Sequence, residues 1–280
     1  IICYIFYYIT VRYLQWKNSK IPKESFLDGK TDVGIVSMIR EPKNIDTWLD
    51  KHRNIGIKHF YIRLEQTPDL EDYLKKQEDV TLQIGESSGI NEYEEIQNRQ
   101  SKWVNEAFKL ARNDNNGVKW LFHIDCDEIL RGNLHEISEY PEDVRTFWIQ
   151  NEEAKFSKVP SSKDNCFSAS KLVDCSKDSK NCVSYGNGKG CGRVEEDVES
   201  NGPHRMKSKL EKKSKKNKTI VVEHYESCDF DIYKKKFKNL AVQDNDSKTP
   251  FSYYNESIEA CKENNDDKLY KIYEKYRIVQ

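Results

Sequence analysis

Three D-x-D triplets stand in the sequence: Asp125/Asp127, Asp229/Asp231 and Asp244/Asp246. In a chain with 47 acidic residues the triplet alone carries little weight, so context has to separate them. Only the first follows an apolar run, Lys119 to Ile124 (KWLFHI), so only it presents two carboxylates just past a strand of buried type. The other two fall at a helix start and in a polar loop, where Asp caps helices or faces water. Two carboxylates at i and i+2, where a strand gives way to a turn, can both reach one hard cation. Mg²⁺ and Mn²⁺ favour oxygen ligands in octahedral geometry and commonly share them with substrate phosphates, whose charge they neutralise. The competing interpretation is a pair of solvent-facing Asp residues opening a loop.

Histidines at strand ends are the natural companions of such a pair. His224 closes the run TIVVEHY and is a candidate third metal ligand, which would tilt preference toward Mn²⁺; a satisfied surface histidine is the alternative. His204 follows Gly-Pro in a loop and is a candidate diphosphate or metal contact. His52, His59 and His123 lie inside element-like stretches and read as packing residues. Arg40 and Glu41 end another apolar run. Three further carboxylates are candidate proton acceptors: Glu128, next to the metal pair, and Glu196 and Asp197 in the acidic run VEEDVE, for which a solvated loop is the alternative. The stretch Gly186 to Gly192 (GNGKGCG) does not match G-x-G-x-x-G, has no strand before it and lacks a Ser or Thr after Gly188-Lys189, so it reads as a flexible loop from which Lys189 can reach a phosphate. No H-E-x-x-H is present.

Positioning these groups requires a scaffold, and the pattern supplies one. Val33 to Ile39, Lys58 to Leu64 and Val80 to Ile84 read as strands. Between them Ile45, Trp48, Leu49, His52 and Ile55 recur at helical spacing, and Pro68 to Lys76 forms a short helix. Glu94 to Arg112 is a long amphipathic helix with Trp103, Ala107, Leu110 and Ala111 on one face. Strands alternating with helices predict an α/β fold with a mostly parallel sheet and helices on both faces. Ligands then sit beyond the carboxyl ends of the strands, where Arg40-Glu41 and Asp125-Cys126-Asp127 both lie. Beyond Ile149 the pattern fades. Residues 155–192 read as a cysteine-rich insertion, Thr219 to His224 as a strand, Asp229 to Asn239 as a basic helix, and Tyr253 to Tyr276 as helical and mostly solvated.

The 280 residues suffice for one large α/β domain, with 36% hydrophobic and 33% charged residues giving a modest core and a heavily charged surface. Basic and acidic residues number 46 and 47, so no global charge draws the chain to nucleic acid or to an anionic membrane. The basic run Lys212 to Lys218 reads as a solvated loop, with an anion-binding patch as the alternative. Ile1 to Val11 (IICYIFYYITV) is apolar but shorter than the roughly 20 residues that span a bilayer. It reads as the end of a truncated signal anchor with a polar stem, although Arg12, Lys17, Lys20 and Lys23 beside it oppose a luminal domain, and a buried strand or helix is the alternative. Cys166, Cys175, Cys182 and Cys191 lack zinc spacing and suggest two disulfides in an oxidising compartment. The sequons at Asn217, Asn245 and Asn255 agree weakly.

Four segments together resemble the GT-A glycosyltransferases, in particular the DUF23-like group related to glycosyltransferase families 92 and 2. MIREPKNIDTWLDKHRNIGIKHFYI (38–62) is similar to the group's first strand, acidic turn, helix and second strand. QSKWVNEAFKLARNDNNGVKWLFHIDCDEIL (100–130) is similar to its helix leading into a W-L-x-x-I-D-x-D-E block. GKGCGRVEEDVESNGPHRM (188–206) and HYESCDFDIYKKKF (224–237) are similar to its Gly-Lys loop with a later G-x-H and to its closing H-Y segment. The resemblance implies a GT-A domain over residues 31–245, preceded by anchor and stem (1–30) and followed by a helical tail (246–280). It implies a nucleotide-diphosphate-sugar donor, a UDP-sugar foremost, a glycan or glycoprotein acceptor, Mn²⁺ or Mg²⁺ on Asp125 and Asp127 with His224 or His204, and Arg40 and Glu41 near the nucleotide. An anchored enzyme of this kind is expected in the Golgi or ER lumen. Inverting transfer is the expected course, with Asp197, Glu196 or Glu128 as base. Two rivals remain at this level: a degenerate GT-A domain that binds sugars or partners without turnover, and a metal-dependent phosphohydrolase or nucleotidyltransferase, which also uses D-x-D pairs but usually adds carboxylates for a second metal.

Overall fold

The computed structural model describes residues 30–86, 93–161, 163–174, 186–211, 214–243 and 251–279. The expected anchor and stem, and Asn245, Cys175 and Cys182, lie outside the described residues. Among the described residues no helix is long and apolar enough to cross a membrane.

The chain forms a Rossmann-like α/β sheet. Its first half is β1 (Val33–Ile39), β2 (His59–Glu65), β3 (Val80–Gly85) and β4 (Trp120–His123), paired in parallel in the order β3-β2-β1-β4. β1 is apolar on both faces, as a central parallel strand must be, and its residues alternate between two cores. Val33, Ile35 and Ile39 pack with Ile45, Trp48 and Leu49 of helix α1 (Ile45–Asn54). The short helix α2 (Glu71–Lys75) precedes β3. On the opposite face Val36 packs with Trp103, Val104, Ala107, Phe108 and Ala111 of helix α3 (Tyr93–Asn113). Leu110, expected on that buried face, is 40% exposed; Val104 and Phe108 are buried there instead.

The second half continues the sheet from β4 through β8 (Lys189–Arg193), β6 (Thr146–Lys155) and β11 (Lys215–His224) to β5 (Glu128–Arg131). β8 is antiparallel to both its neighbours, and β11 is parallel to β6 and antiparallel to β5. β7 (Lys171–Asp174) pairs with the end of β6, and β9 (Val198–Ser200) with β10 (Met206–Ser208) forms a separate ribbon. The glycine stretch read as a flexible loop is therefore corrected: from Lys189 onward it is an interior strand. Gly188 makes the entry possible, since its φ is +69° and a Cβ there would stand 1.7 Å from the Ile149 carbonyl oxygen.

The cysteine expectation is corrected too. Cys166 pairs with Cys228, 62 residues away, with Cα atoms 5.1 Å apart, which ties the loop after β6 to the loop after β11. Cys191 is buried and free in β8. Asn217 is also buried, with its Oδ1 accepting from the N–H groups of Thr219 and Ile220, so it is no glycan acceptor in the folded chain.

The C-terminal region is not a solvated tail. Helices α4 (Phe230–Gln243), α5 (Ser252–Lys262) and α6 (Asp266–Arg277) enclose their own core of Tyr233, Phe237, Tyr253, Leu269, Ile272 and Tyr273. The end of α6 is stitched to β6: Phe156 N–H donates to the Arg277 carbonyl at 2.9 Å, and Val279 N–H to the Phe156 carbonyl at 2.8 Å.

Candidate functional site

The turn between β4 and β5 carries the D-x-D triplet beyond the carboxyl end of β4. Glu128 N–H donates to the Asp125 carbonyl at 3.1 Å and closes the turn, and Asp125 N–H donates to Glu128 Oε2 at 2.8 Å. Trp48 of α1 fixes the same turn from behind, its indole N–H reaching the carbonyls of Glu128 at 2.8 Å and Asp125 at 3.2 Å. His52, one helical turn on, accepts from Leu130 N–H on Nε2 at 3.0 Å and meets the Trp48 carbonyl with Nδ1 at 2.9 Å. Burial holds that imidazole neutral, its pKa lowered to about 3, in keeping with the packing role expected of it.

The two aspartates meet different partners. Asp125 Oδ2 lies 2.5 Å from Lys189 Nζ, and its Oδ1 accepts from Gln100 Nε2 at 3.0 Å. Lys189 also reaches Glu128 Oε2 at 3.1 Å, and neither the Lys189 nor the Glu128 side chain is exposed. Burial works against the charged forms of all three groups, and their mutual attraction decides the outcome. Burial pushes Glu128 up to about 7 in spite of Lys189, whereas the Lys189 cation outweighs burial at Asp125 and holds it well below the usual carboxylate range. Lys189 itself is raised, because the two carboxylates overcome the cost of burying it. Lys189 is thus committed to the turn and does not extend as a free phosphate contact.

Asp127 is 40% exposed at the other side of the turn. His224, at the end of β11, faces it with Nε2 3.7 Å from Asp127 Oδ2. The opposite ring nitrogen, Nδ1, is held 2.5 Å from Glu153 Oε1 on β6. Burial alone would depress His224, but the Glu153 and Asp127 carboxylates lift its pKa well above the ordinary histidine value. A carboxylate behind Nδ1 is the arrangement that orients a metal-ligating imidazole and fixes which nitrogen points outward.

Among the described residues no group of three or more His, Cys, Asp or Glu is arranged to hold a metal. In phosphate sites one or two carboxylates and the substrate's own oxygens hold Mg²⁺ or Mn²⁺, so exposed Asp127 is suited to one, with the His224 imidazole beside it as a nitrogen donor; Asp125, already bound to the Lys189 cation, is their neighbour.

The remaining expected residues divide by position. His204 lies close to the site, with Nδ1 3.0 Å from the Gly188 carbonyl, and burial followed by the Lys189 charge lowers it to about 3. His123 contacts the Pro203 carbonyl through Nδ1 at 2.9 Å and is lowered to about 4 by the same two causes. Arg40 lies at the carboxyl end of β1, its Nη1 3.3 Å from Gln66 Oε1, and Glu41 forms an ion pair with Lys235. Glu196 and Asp197 are not brought to the site. Val194 N–H pairs with the Lys119 carbonyl at the amino end of β4, six residues or about 20 Å from Asp125 at strand spacing. Asp197 there accepts from Ser208 Oγ. As proton acceptors at the D-x-D turn both are overturned by β8 running antiparallel to β4. Glu128 is near enough but fully buried beneath Asp125, where it braces the turn. Three residues the sequence did not suggest are Glu153, Gln100 and Arg277. For Glu153 the local hint was a run of polar and acidic residues, Gln150 to Glu153, directly after the apolar Phe147 to Ile149; Gln100 and Arg277 had none.

No protein-family model matches the sequence, and no curated protein matches it. Solved structures to which the fold is similar include HddC from Yersinia pseudotuberculosis, at 10% identity over 50% of this chain and 68% of that one, with a TM-score of 0.29. The same protein complexed with GMP-PN gives 12% identity, 57% and 72% coverage, and a TM-score of 0.32. Likeness this distant does not bear on activity.

Proposed function

We propose that the chain is a divalent-metal-dependent glycosyltransferase of GT-A type that takes a nucleotide-diphosphate-sugar donor. The observation that carries the reading is the pairing of exposed Asp127 with a carboxylate-backed His224 at the carboxyl end of a Rossmann-like sheet. The resemblance of residues 100–130 and 224–237, the segments that hold Asp127 and His224, to that group agrees with it. When bound, Mn²⁺ or Mg²⁺ would neutralise charge on the departing diphosphate. Asp127 and His224 would hold it, and Asp125, kept anionic and immobile by Lys189 and Gln100, would face the donor beside them. Arg40, at the neighbouring strand end, would contact the nucleotide. The proposed course is inversion with a glycan or glycoprotein hydroxyl as acceptor, in the Golgi or ER lumen.

A donor screen with the full chain tests this. Metal-dependent release of nucleotide diphosphate from one donor, with the sugar recovered on an acceptor and activity lost in Asp127→Ala, supports transfer. Free sugar with no acceptor product would favour a hydrolase, and a product keeping the donor's anomeric configuration would contradict inversion. One observation favours a second reading: the Lys189–Asp125 ion pair already neutralises half of the D-x-D pair. A module that binds donor without turnover would show donor affinity unchanged by chelator and no nucleotide release.

A further inference from the structure

Arg277, the last residue of α6, is fully buried. Its Nη1 donates to Glu153 Oε2 at 3.0 Å, and both side chains are at 0% exposure. The other oxygen of the same carboxylate, Oε1, meets His224 Nδ1 at 2.5 Å. One carboxylate therefore joins the C-terminal helix to the histidine that faces Asp127. The helix end cannot drift from this contact, because the backbone bonds between Arg277, Phe156 and Val279 anchor it three residues beyond Glu153. The guanidinium also lies 5.6 Å from the centre of the Phe156 ring.

A buried carboxylate oxygen without a hydrogen-bond donor would turn toward water or another partner. Arginine is the side chain that cannot release its charge on burial. With Arg277 holding Oε2, the carboxylate of Glu153 cannot rotate and its Oε1 stays aimed at Nδ1, which leaves Nε2 directed at Asp127. As a purely stabilising device the arrangement is poor. Among the described residues the Nε and Nη2 atoms of Arg277 are buried and meet no partner, and buried ion pairs of this kind are often no better for stability than apolar side chains.

We infer that Arg277 is a positioning residue, which acts through Glu153 to fix the imidazole of His224, so that the C-terminal helix is a working part of the site. The inference rests on the reading of Asp127 and His224 as the place of a divalent cation.

The test compares the full chain with Arg277→Met, Arg277→Lys and Glu153→Gln, the last being nearly isosteric and still able to accept from Arg277. Two quantities are measured on folded protein: Mn²⁺ affinity by calorimetry, and the far-downfield proton resonance of an imidazole N–H bonded to a carboxylate, assigned to His224 in metal-free protein. The expected result is Mn²⁺ binding weakened about 10–100-fold in Arg277→Met and Glu153→Gln, as for the loss of other outer partners of metal ligands. The resonance is lost in both, and both properties are largely kept in Arg277→Lys. Folded Arg277→Met or Glu153→Gln that keeps the resonance and binds Mn²⁺ like the wild type overturns the inference. A wild type that binds no Mn²⁺ but shows the Arg277-dependent resonance upholds the positioning and overturns the cation reading instead.

Discussion

Lys189→Met removes the cation beneath the D-x-D turn while keeping most of the side-chain volume. In the wild type its ammonium serves Asp125 at 2.5 Å and Glu128 at 3.1 Å. Removing one partner of a buried pair costs about 3–5 kcal/mol, because the other charge is left without compensation. The Asp125 side chain is 29% exposed and can recruit water, which places the expectation near the low end, about 3 kcal/mol. For a chain of this size that is a fall in Tm of about 6–12 °C. The loss has a pH signature. Glu128 already has a folded-state pKa of about 7 against an ordinary 4.5, so the stability it contributes is complete below about 4.5 and is lost as pH rises through 7. Without Lys189 that pKa rises further. The depression of Asp125, whose stabilisation is present above its unfolded value and disappears only in acid, is abolished. The deficit of the variant relative to wild type is therefore largest above pH 7 and shrinks toward pH 5. Adding Glu128→Gln to the variant removes one stranded charge and recovers at least about 1 kcal/mol at pH 7.5. Urea denaturation followed by tryptophan fluorescence at several pH values measures all of this. A deficit below about 1 kcal/mol at pH 7.5, the scale of a surface ion pair, or one that grows in acid, would show that Lys189 is not the buried counter-charge of Asp125 and Glu128.

Three further outcomes follow from the same contacts. His224→Gln, which keeps size but removes Nε2, should weaken Mn²⁺ by more than the about 10–100-fold typical of outer-shell losses, with calorimetry as the check. Gly188→Ala forces a Cβ into the Ile149 carbonyl at a left-handed φ, so soluble protein should be destabilised by more than about 2 kcal/mol in thermal melts, and an unchanged Tm would contradict the strand assignment of β8. Cys166→Ser opens the link to Cys228, and the loop of 62 residues predicts a loss of about 4 kcal/mol under non-reducing conditions; wild type and variant melting alike there would show the bridge does not form.

What could be read in the sequence was local. WLFHI followed by Asp-Cys-Asp is a strand and its turn within eight residues, and the alternation of β1 between two cores follows from a strand period of two. The partners of those carboxylates were not local. Lys189 meets Asp125 across 64 residues, and Arg277 meets Glu153 across 124. The strand that carries Lys189 hid itself by composition, since KGCGR lacks the β-branched and aromatic residues that mark strands. Its glycines serve close approach: a Cβ on Gly190 would come within 2.9 Å of the backbone of Arg205 and Met206. The same hidden antiparallel strand carries Glu196 and Asp197 away from the turn, which sequence proximity to the Gly-Lys stretch could not disclose. The helical tail was misjudged because its polar composition belongs to its outer face, while Tyr253, Leu269, Ile272 and Tyr273 fill a core of their own.

Electron paramagnetic resonance of Mn²⁺ bound to the full chain with UDP reads the ligation by Asp127 and His224 directly. The expected result is a bound Mn²⁺ signal with a nitrogen coupling from one imidazole, lost in His224→Gln, and a signal weakened with Asp127→Ala. Bound Mn²⁺ without nitrogen coupling, or a coupling that survives His224→Gln, would contradict the placement of the cation between Asp127 and His224.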